Sequence, residues 1–366
     1  NNSVKVKLAA WRSGIVMLGV AIYVGRMLTA DDYNYLIEMR NAGFDTVFTS
    51  LQINENDPEQ TKSYLKELTK WCSNLDLSII ADVSAVGLEK IGIDIHDVGQ
   101  VQALDLTGLR IDAGIGMDVV AKLSKSMPIA LNASTITEKD LLDLKKYNAA
   151  FDHLVAWHNY YPRPETGLGA EWLDKKNKWL KEHDLQTLAF IPGDGELRSP
   201  IFAGLPTLEC QRHENPLAAM IELKKLHVDH VFVGDVSLKQ STINSFINYL
   251  KQDAITLHID RDLPELTENT WHNRTDVAEQ VVRLQEGRER QLFNTGLQET
   301  KPRPQGSITC DNDKYLHYKG ELQITKIDLP ADERVNVIGH VVSNDLDLLK
   351  VIGAGTKIIF KKSDLQ

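Results

Sequence analysis

The chain has 366 residues, more than one ordinary domain needs and enough for a (β/α)8 barrel with about 100 residues to spare. Hydrophobic residues make up 42% and charged ones 25%, the balance of a well-cored globular protein, and 51 acidic against 41 basic side chains leave a formal net charge of -10. That acidity excludes a general nucleic-acid or anionic-membrane binder, since both need a basic surface; a small anion held by a few local arginines remains compatible. Cys72, Cys210 and Cys310 are odd in number and far apart, with no CxxC or Cys/His spacing for zinc, so a reducing, cytoplasmic setting is expected.

Residues Gly14 to Val24 form an apolar run behind Lys5, Lys7 and Arg12, superficially like a signal peptide. The run is shorter than the roughly 20 residues of a membrane span, no small-residue cleavage pattern follows, and a capped helix starts at Thr29. It is read as a buried strand behind an N-terminal extension of residues 1–15. From there short apolar runs alternate with amphipathic stretches. The expected strands are Met17 to Tyr23, Thr46 to Leu51, Leu77 to Val83, Gly108 to Asp112, Pro128 to Asn132, His153 to His158, Thr187 to Ile191 and His230 to Gly234. Thr29 with Asp32, and Thr137 with Asp140, predict capping boxes, while Asp57-Pro58 and Asn215-Pro216 predict helix starts.

Near-continuous apolar strands, each followed by a helix, predict a parallel sheet buried on both faces. Eight such units match a closed TIM barrel over residues 16–254. The competitor is an open doubly wound sheet, but Tyr23-Val24-Gly25-Arg26 follows the first strand where a nucleotide-binding fingerprint would stand. Beyond residue 255 prolines and short alternating runs predict a compact β domain over 255–366. Its expected strands are Tyr315 to Tyr318, Leu322 to Ile327, Val335 to Ile338 and Lys357 to Phe360, with helical turns such as Leu346 to Val351.

Polar residues at barrel strand ends point into a shared pocket. Here they are Tyr23, Thr49, Ser50, Asp82, Arg110, Asp112, Asn132, Ser134, His158, Asn159, Asp194 and Asp235. Two long connections add chemistry, His158 to Leu168 and Pro192 to Glu209. Tyr160 and Tyr161 offer flat faces for a sugar, and Arg163 and Arg198 offer charge for a phosphate or carboxylate. Paired carboxylates in such a pocket suit glycoside hydrolysis, with Asp82, Asp112, Glu165 and Asp235 as candidates and Glu209 a lesser one. Any of them could instead serve an arginine, foremost Asp112 with Arg110 or a neighbouring basic group. His158 with Asp82, Asp112 and Asp235 could form a mixed metal site; without His-x-His or HExxH spacing, no metal and no organic cofactor is expected.

Several stretches carry a resemblance: Leu18-Gly-Val-Ala-Ile-Tyr23, Gly108-Leu-Arg-Ile-Asp112, His158-Asn-Tyr-Tyr-Pro-Arg-Pro-Glu-Thr-Gly-Leu168, Gly204-Leu-Pro-Thr-Leu-Glu209 and Val233-Gly-Asp235. In the C-terminal part His272-Asn-Arg-Thr-Asp276 and Tyr318-Lys-Gly-Glu-Leu-Gln-Ile324 join them. Over nearly its whole length the chain resembles the 6-phospho-N-acetylmuramidases of bacterial cell-wall recycling, earlier described as outer surface proteins. It departs from them at Val24-Gly25-Arg26, where proline would follow the tyrosine, and at Arg198-Ser199-Pro200, where Arg-Gly-Pro is usual. The resemblance implies a barrel followed by a cyclophilin-like β domain. It also implies cytoplasmic hydrolysis of N-acetylmuramic acid 6-phosphate linked β-1,4 to N-acetylglucosamine. Asp82, Asp112 and Glu165, with Asp235 in reserve, would then do the acid/base or nucleophilic work. Tyr23, Asn132, His158, Asn159, Tyr161 and Glu209 would hold the sugar, and Arg110, Arg163 and Arg198 its phosphate and lactyl anions. The expected partner is that phosphorylated disaccharide, with no nucleic acid or membrane; a homodimer is compatible with the sequence. The rival classes are a metal-dependent phosphosugar isomerase or aldolase and a non-catalytic carbohydrate-binding surface protein.

Overall fold

The structure, a computed structural model, describes residues 16–51, 57–112 and 114–363. The N-terminal extension expected over residues 1–15 lies outside them. The chain divides into two compact units, the first ending at Gln240 and the second running from Ser241.

In the first unit eight parallel strands close into a barrel. They are β1 (Leu18–Ala21), β2 (Thr46–Ser50), β3 (Ser78–Val83), β4 (Gly108–Ile111), β5 (Ile129–Asn132), β6 (Leu154–Trp157), β7 (Gln186–Ile191) and β8 (His230–Val233). Each expected strand is present, its ends within two residues of those read from the sequence. Closure is made at Val20, which pairs with Val47 of β2 on one side and Val233 of β8 on the other. The helices of this unit are α1 (Ala30–Ala42), α2 (Pro58–Asn74), α3 (Ala85–Lys90), α4 (Val98–Gln102), α5 (Met117–Ser124), α6 (Glu138–Lys146), α7 (Ala170–Glu182) and α8 (Pro216–Lys225); α9 (Gln240–Gln252) falls almost wholly in the second unit. Both expected capping boxes form, at Thr29–Asp32 and Thr137–Asp140, and Asp57 and Asn215 cap the proline-started helices. Each satisfies backbone donors that the first helical turn leaves without partners.

The barrel interior is filled by side chains, the bulkiest being Phe48, Trp157, Phe190 and Phe232. Trp157 packs on Phe232 with centroids 4.9 Å apart, and Phe48 lies 5.3 Å from Phe190. Gly19 on β1 exists to admit one of these rings: a Cβ there would stand 2.5 Å from Phe232 Cζ. Gly19→Ala is therefore expected to destabilise the barrel by about 1–3 kcal/mol through overpacking, measured by urea unfolding. Wild-type stability would show that the ring can step aside.

At the start of β8, His230 is buried; its Nδ1 accepts from Met17 N at 3.0 Å and its Nε2 faces Gln186 Oε1 at 3.0 Å. Burial pushes this imidazole down to about 4. The unfolded chain therefore takes up a proton near the ordinary histidine value that the native state refuses. Stability associated with this ring is present above about pH 6.5 and is lost as pH falls toward 4, at up to about 1.4 kcal/mol per pH unit. Replacing it by glutamine removes that term. The stability gap between wild type and His230→Gln should accordingly narrow over the same interval in paired unfolding curves.

The second unit contains β9 (Ala254–Ile259), β10 (Thr270–His272), β11 (Val281–Leu284), β12 (Ser307–Asp311), β13 (Leu322–Thr325), β14 (Val335–His340) and β15 (Lys357–Lys362). They form a three-stranded sheet ordered β10-β15-β9 and a four-stranded one ordered β11-β13-β12-β14. The strand expected at Tyr315 to Tyr318 is a 3-10 segment instead, Asp313–Tyr318, entered through an Asn312 cap. Its alternation has no core to face: Leu316 is 72% exposed and sits at φ 56°. The expected turns around Leu346 form a 3-10 helix over Ser343–Lys350. No helix among the described residues is long and apolar enough to cross a membrane.

Candidate active site

At the C-terminal ends of the strands a cavity of about 240 Å³ is lined by Phe48, Asp82, Arg110, Asp112, Asn159, Tyr160, Tyr161 and Phe190. A wider cleft of about 750 Å³ lies at the opposite, strand-start face, where Leu77, Ile79, Thr107 and Met127 line it among polar groups. The smaller cavity brings two carboxylates and an arginine together at the face where barrels place chemistry.

Its floor is the top of the aromatic core, where Tyr160 packs edge-on against Phe190 at 5.1 Å and Phe48 at 6.2 Å. Its charged wall follows from register. Asp82 of β3 is the direct neighbour of Arg110 on β4, and Arg110 Nη1 donates to Asp82 Oδ1 at 2.8 Å with both side chains buried. The sequence set Asp112 against Arg110 or a neighbouring basic group; the Arg110 ion pair is made with Asp82, because the register of the adjacent strands β3 and β4 sets these two side chains abreast. Arg110 Nη2 donates to Asn159 Oδ1, while its Nε is buried with no hydrogen-bond partner. Asp112, one residue past β4, completes this wall.

Arg198 approaches from the connection after β7. Its guanidinium carbon lies 3.5 Å from the centroid of the Tyr23 ring, and Nη1 donates to Tyr160 Oη at 2.6 Å. Tyr23 is itself fixed by donating to Gly234 O at 2.6 Å. Among the described residues no carboxylate is in ion-pair contact with Arg198, whose charge is stacked on Tyr23 and oriented by Tyr160. Such a guanidinium is suited to an incoming anion.

Other candidates have structural work. Asp235 is almost fully buried and accepts from three backbone amides, Gly193 N at 2.9 Å, Arg198 N at 3.1 Å and Leu205 N at 3.0 Å. Burial raises its carboxyl above the usual range while these amides pull it back. Glu209 accepts from Arg212 Nε and Nη2 at 2.7 and 2.6 Å, and from the backbones of Glu165 and Gly167 at 2.8 and 2.7 Å. The Arg212 guanidinium holds its carboxyl down at about 2. Gly167 is required here, since a Cβ would stand 2.6 Å from Glu209 Oε2. Glu165 itself is exposed, with φ 73°, on the rim. Arg163 is also exposed, and its carbonyl receives Thr166 and Arg212.

His158 is fully buried behind the cavity. Its Nε2 meets Asn177 Oδ1 at 2.7 Å and its Nδ1 meets Ser134 Oγ at 3.2 Å, and burial pushes the ring down to about 4. Tyr161 Oη donates to Ser134 Oγ at 3.4 Å, and Asn132 Oδ1 receives Ser134 N. Among the described residues no group of three or more His, Cys, Asp or Glu has a metal-holding arrangement.

The two long connections are bound to each other. Leu168 and Leu208 form a parallel bridge, Tyr161 N donates to Pro206 O at 2.9 Å, and Thr207 Oγ1 donates to Asn159 O at 2.9 Å. Sequence reasoning missed Arg212 and Asn177. Glu209 and Arg212 stand at an i,i+3 spacing that could have been read as a pair. Asn177 lies between Leu173 and Leu180 on the buried stripe of α7, a polar residue at an apolar register position.

The same two parts of the chain match family models: residues 18–248 match the N-terminal domain of 6-phospho-N-acetylmuramidase and residues 254–361 its C-terminal domain. The chain belongs to the 6-phospho-N-acetylmuramidase family. No curated protein matches it. Among solved structures it is similar to a conserved Enterococcus faecalis protein of unknown function, at 37% identity and a TM-score of 0.87 over 95% of this chain and 97% of that one. An uncharacterized B. cereus protein shares the fold at 23% identity and a TM-score of 0.71, over 95% of this chain and 99% of that one. The 6-phospho-N-acetylmuramidase models thus span both units, and the cavity with Asp82, Arg110 and Asp112 lies within the N-terminal match.

Proposed function

We propose that the chain is a cytoplasmic glycoside hydrolase that cleaves the β-1,4 bond between N-acetylmuramic acid 6-phosphate and N-acetylglucosamine during peptidoglycan recycling. The observation that carries this reading is two carboxylates, Asp82 and Asp112, on one small cavity, with Arg198 bonded to its wall residue Tyr160 and in ion-pair contact with no carboxylate among the described residues. Membership of the family supports it. The catalytic domain would be residues 16–254, with a cyclophilin-like domain over 255–366.

Asp82, ion-paired to Arg110, suits the role that calls for a carboxylate anion, attacking C1 or activating water. Asp112 would give its proton to the leaving glycosidic oxygen. Arg198 would meet the 6-phosphate, stacked on Tyr23, and Arg163 on the rim would meet the lactyl carboxylate. Asn159 and Tyr161 would hold sugar hydroxyl and acetamido groups. Glu165 stands outside the cavity wall, and Asp235 and Glu209 act by shaping the loops.

Incubation with the phosphorylated disaccharide and with its unphosphorylated form, followed by mass spectrometry, tests the proposal. Release of N-acetylglucosamine from the phosphorylated form, at least about tenfold faster than from the other, is the expected result. Binding of the sugar without turnover would leave a carbohydrate-binding protein.

A further inference from the structure

A chain of four hydrogen bonds runs from the cavity wall into the protein and ends on a group that can only accept. Asn177 Nδ2 donates to the backbone carbonyl of Leu226 at 2.8 Å, so its Oδ1 must face His158. An amide oxygen can only accept, which requires the proton on His158 Nε2 and leaves Nδ1 bare. The bare nitrogen in turn requires Ser134 to donate to it, and the Ser134 oxygen then receives the Tyr161 hydroxyl. Every proton along this line points inward.

From this geometry we infer that Asn177 and His158 are positioning residues that fix the polarity of the Tyr161 hydroxyl, turning it into a hydrogen-bond acceptor toward the cavity. Tyr161 lines that cavity directly, together with Asn159 and the floor residues Tyr160 and Phe190. With its own proton committed to Ser134, its oxygen selects an N–H or O–H of the bound sugar and rejects an ether or carbonyl at the same place. This deepens the proposed reaction and rests on it for the identity of the ligand. The groups facing His158 favour the neutral ring: Lys176 on α7 and Arg110 on β4 are both cationic, and Trp172 stands edge-on at 6.4 Å.

Two measurements test it. In wild-type protein labelled with 15N-histidine, long-range 15N–1H spectra are expected to show His158 as the neutral Nε2–H tautomer from about pH 8 down to about pH 5. The Nδ1–H tautomer, or an imidazolium at neutral pH, would overturn the inference. The second uses Asn177→Asp, whose carboxylate still accepts from Nε2–H but favours the imidazolium. Nδ1–H then donates to Ser134, both hydroxyls reverse, and Tyr161 presents a proton to the sugar.

For that variant kcat/KM on the phosphorylated disaccharide is expected to fall about tenfold below the raised histidine pKa and to recover above it. Tyr161→Phe, with no oxygen to present, should lose a similar factor at every pH. A pH-independent loss in a folded Asn177→Asp protein would reduce Asn177 to a packing role and sink the inference. If that variant does not fold, Ser134→Ala with the wild-type tautomer decides: unchanged kcat/KM in Ser134→Ala is the refuting outcome. A wild-type protein with no turnover refutes the proposed reaction alone, because the tautomer is read without substrate.

Discussion

Asp112→Asn is expected to lower kcat on the phosphorylated disaccharide by about 10³-fold while leaving the unfolding midpoint close to wild type. The magnitude is that of removing a positioned proton donor, about 10²–10⁴-fold. Fold preservation follows because Asp112 is only partly buried at the end of β4 and asparagine keeps its shape. Asp82→Asn should abolish turnover as well but carries a second penalty. Arg110 is 4% exposed and would keep its charge in the barrel without its Asp82 partner, a loss of about 3–5 kcal/mol. Measuring kcat and unfolding together separates the two effects. Full turnover in Asp112→Asn removes it from the chemistry and with it the paired-carboxylate mechanism. Once both acids are confirmed, the configuration of the product follows from their separation: about 5 Å for retention, about 6.5–9.5 Å for inversion.

Arg198→Met should cost the phosphorylated substrate about 10- to 150-fold in kcat/KM, the range of one charge-assisted hydrogen bond, and the unphosphorylated one almost nothing. Methionine keeps the apolar stem over Tyr23 and Phe190's neighbour Tyr160, so the loop loses charge more than packing. Arg198→Lys should fall between, because an ammonium restores the charge but neither lies flat on Tyr23 nor donates as a planar fork. The decisive quantity is the ratio of the two substrates' kcat/KM values. Equal losses on both would show that Arg198 holds the Tyr23–Tyr160 wall together and that the phosphate is met elsewhere.

The barrel was readable because a parallel strand buried on both faces has to be written almost wholly in apolar residues, as Leu18–Ala21 and Leu154–Trp157 are. Helix starts were readable because capping is local chemistry, settled within four residues. The second unit was harder. Ala254–Ile259 fell at the expected boundary and was passed over, although it is a strand paired in parallel with Lys357–Lys362 about a hundred residues away, a partnership no local pattern encodes. Tyr315 to Tyr318 alternates like a strand but has no partner face.

Of the strand-end residues read from the sequence, Asp82, Arg110, Asp112 and Asn159 line the cavity, but their partners were not legible. That Arg110 sits abreast of Asp82 depends on the stagger between β3 and β4, and that Asp235 serves three amides depends on how the loop after β7 folds back. His158 shows the limit most clearly. Its position at the end of β6 suggested contact with sugar, whereas both its nitrogens are occupied from behind by residues on β5's loop and α7.

The lacing of the two long connections, Leu168 to Leu208 and Glu209 to the amides of Glu165 and Gly167, has a consequence for how this site could change. Tyr160, Tyr161 and Arg198 hang from segments that share backbone bonds, so neither can be remodelled in isolation. An insertion in one would displace its neighbour's side chains. Grafting a new specificity onto this scaffold would require transplanting both stretches together, as one inherited piece.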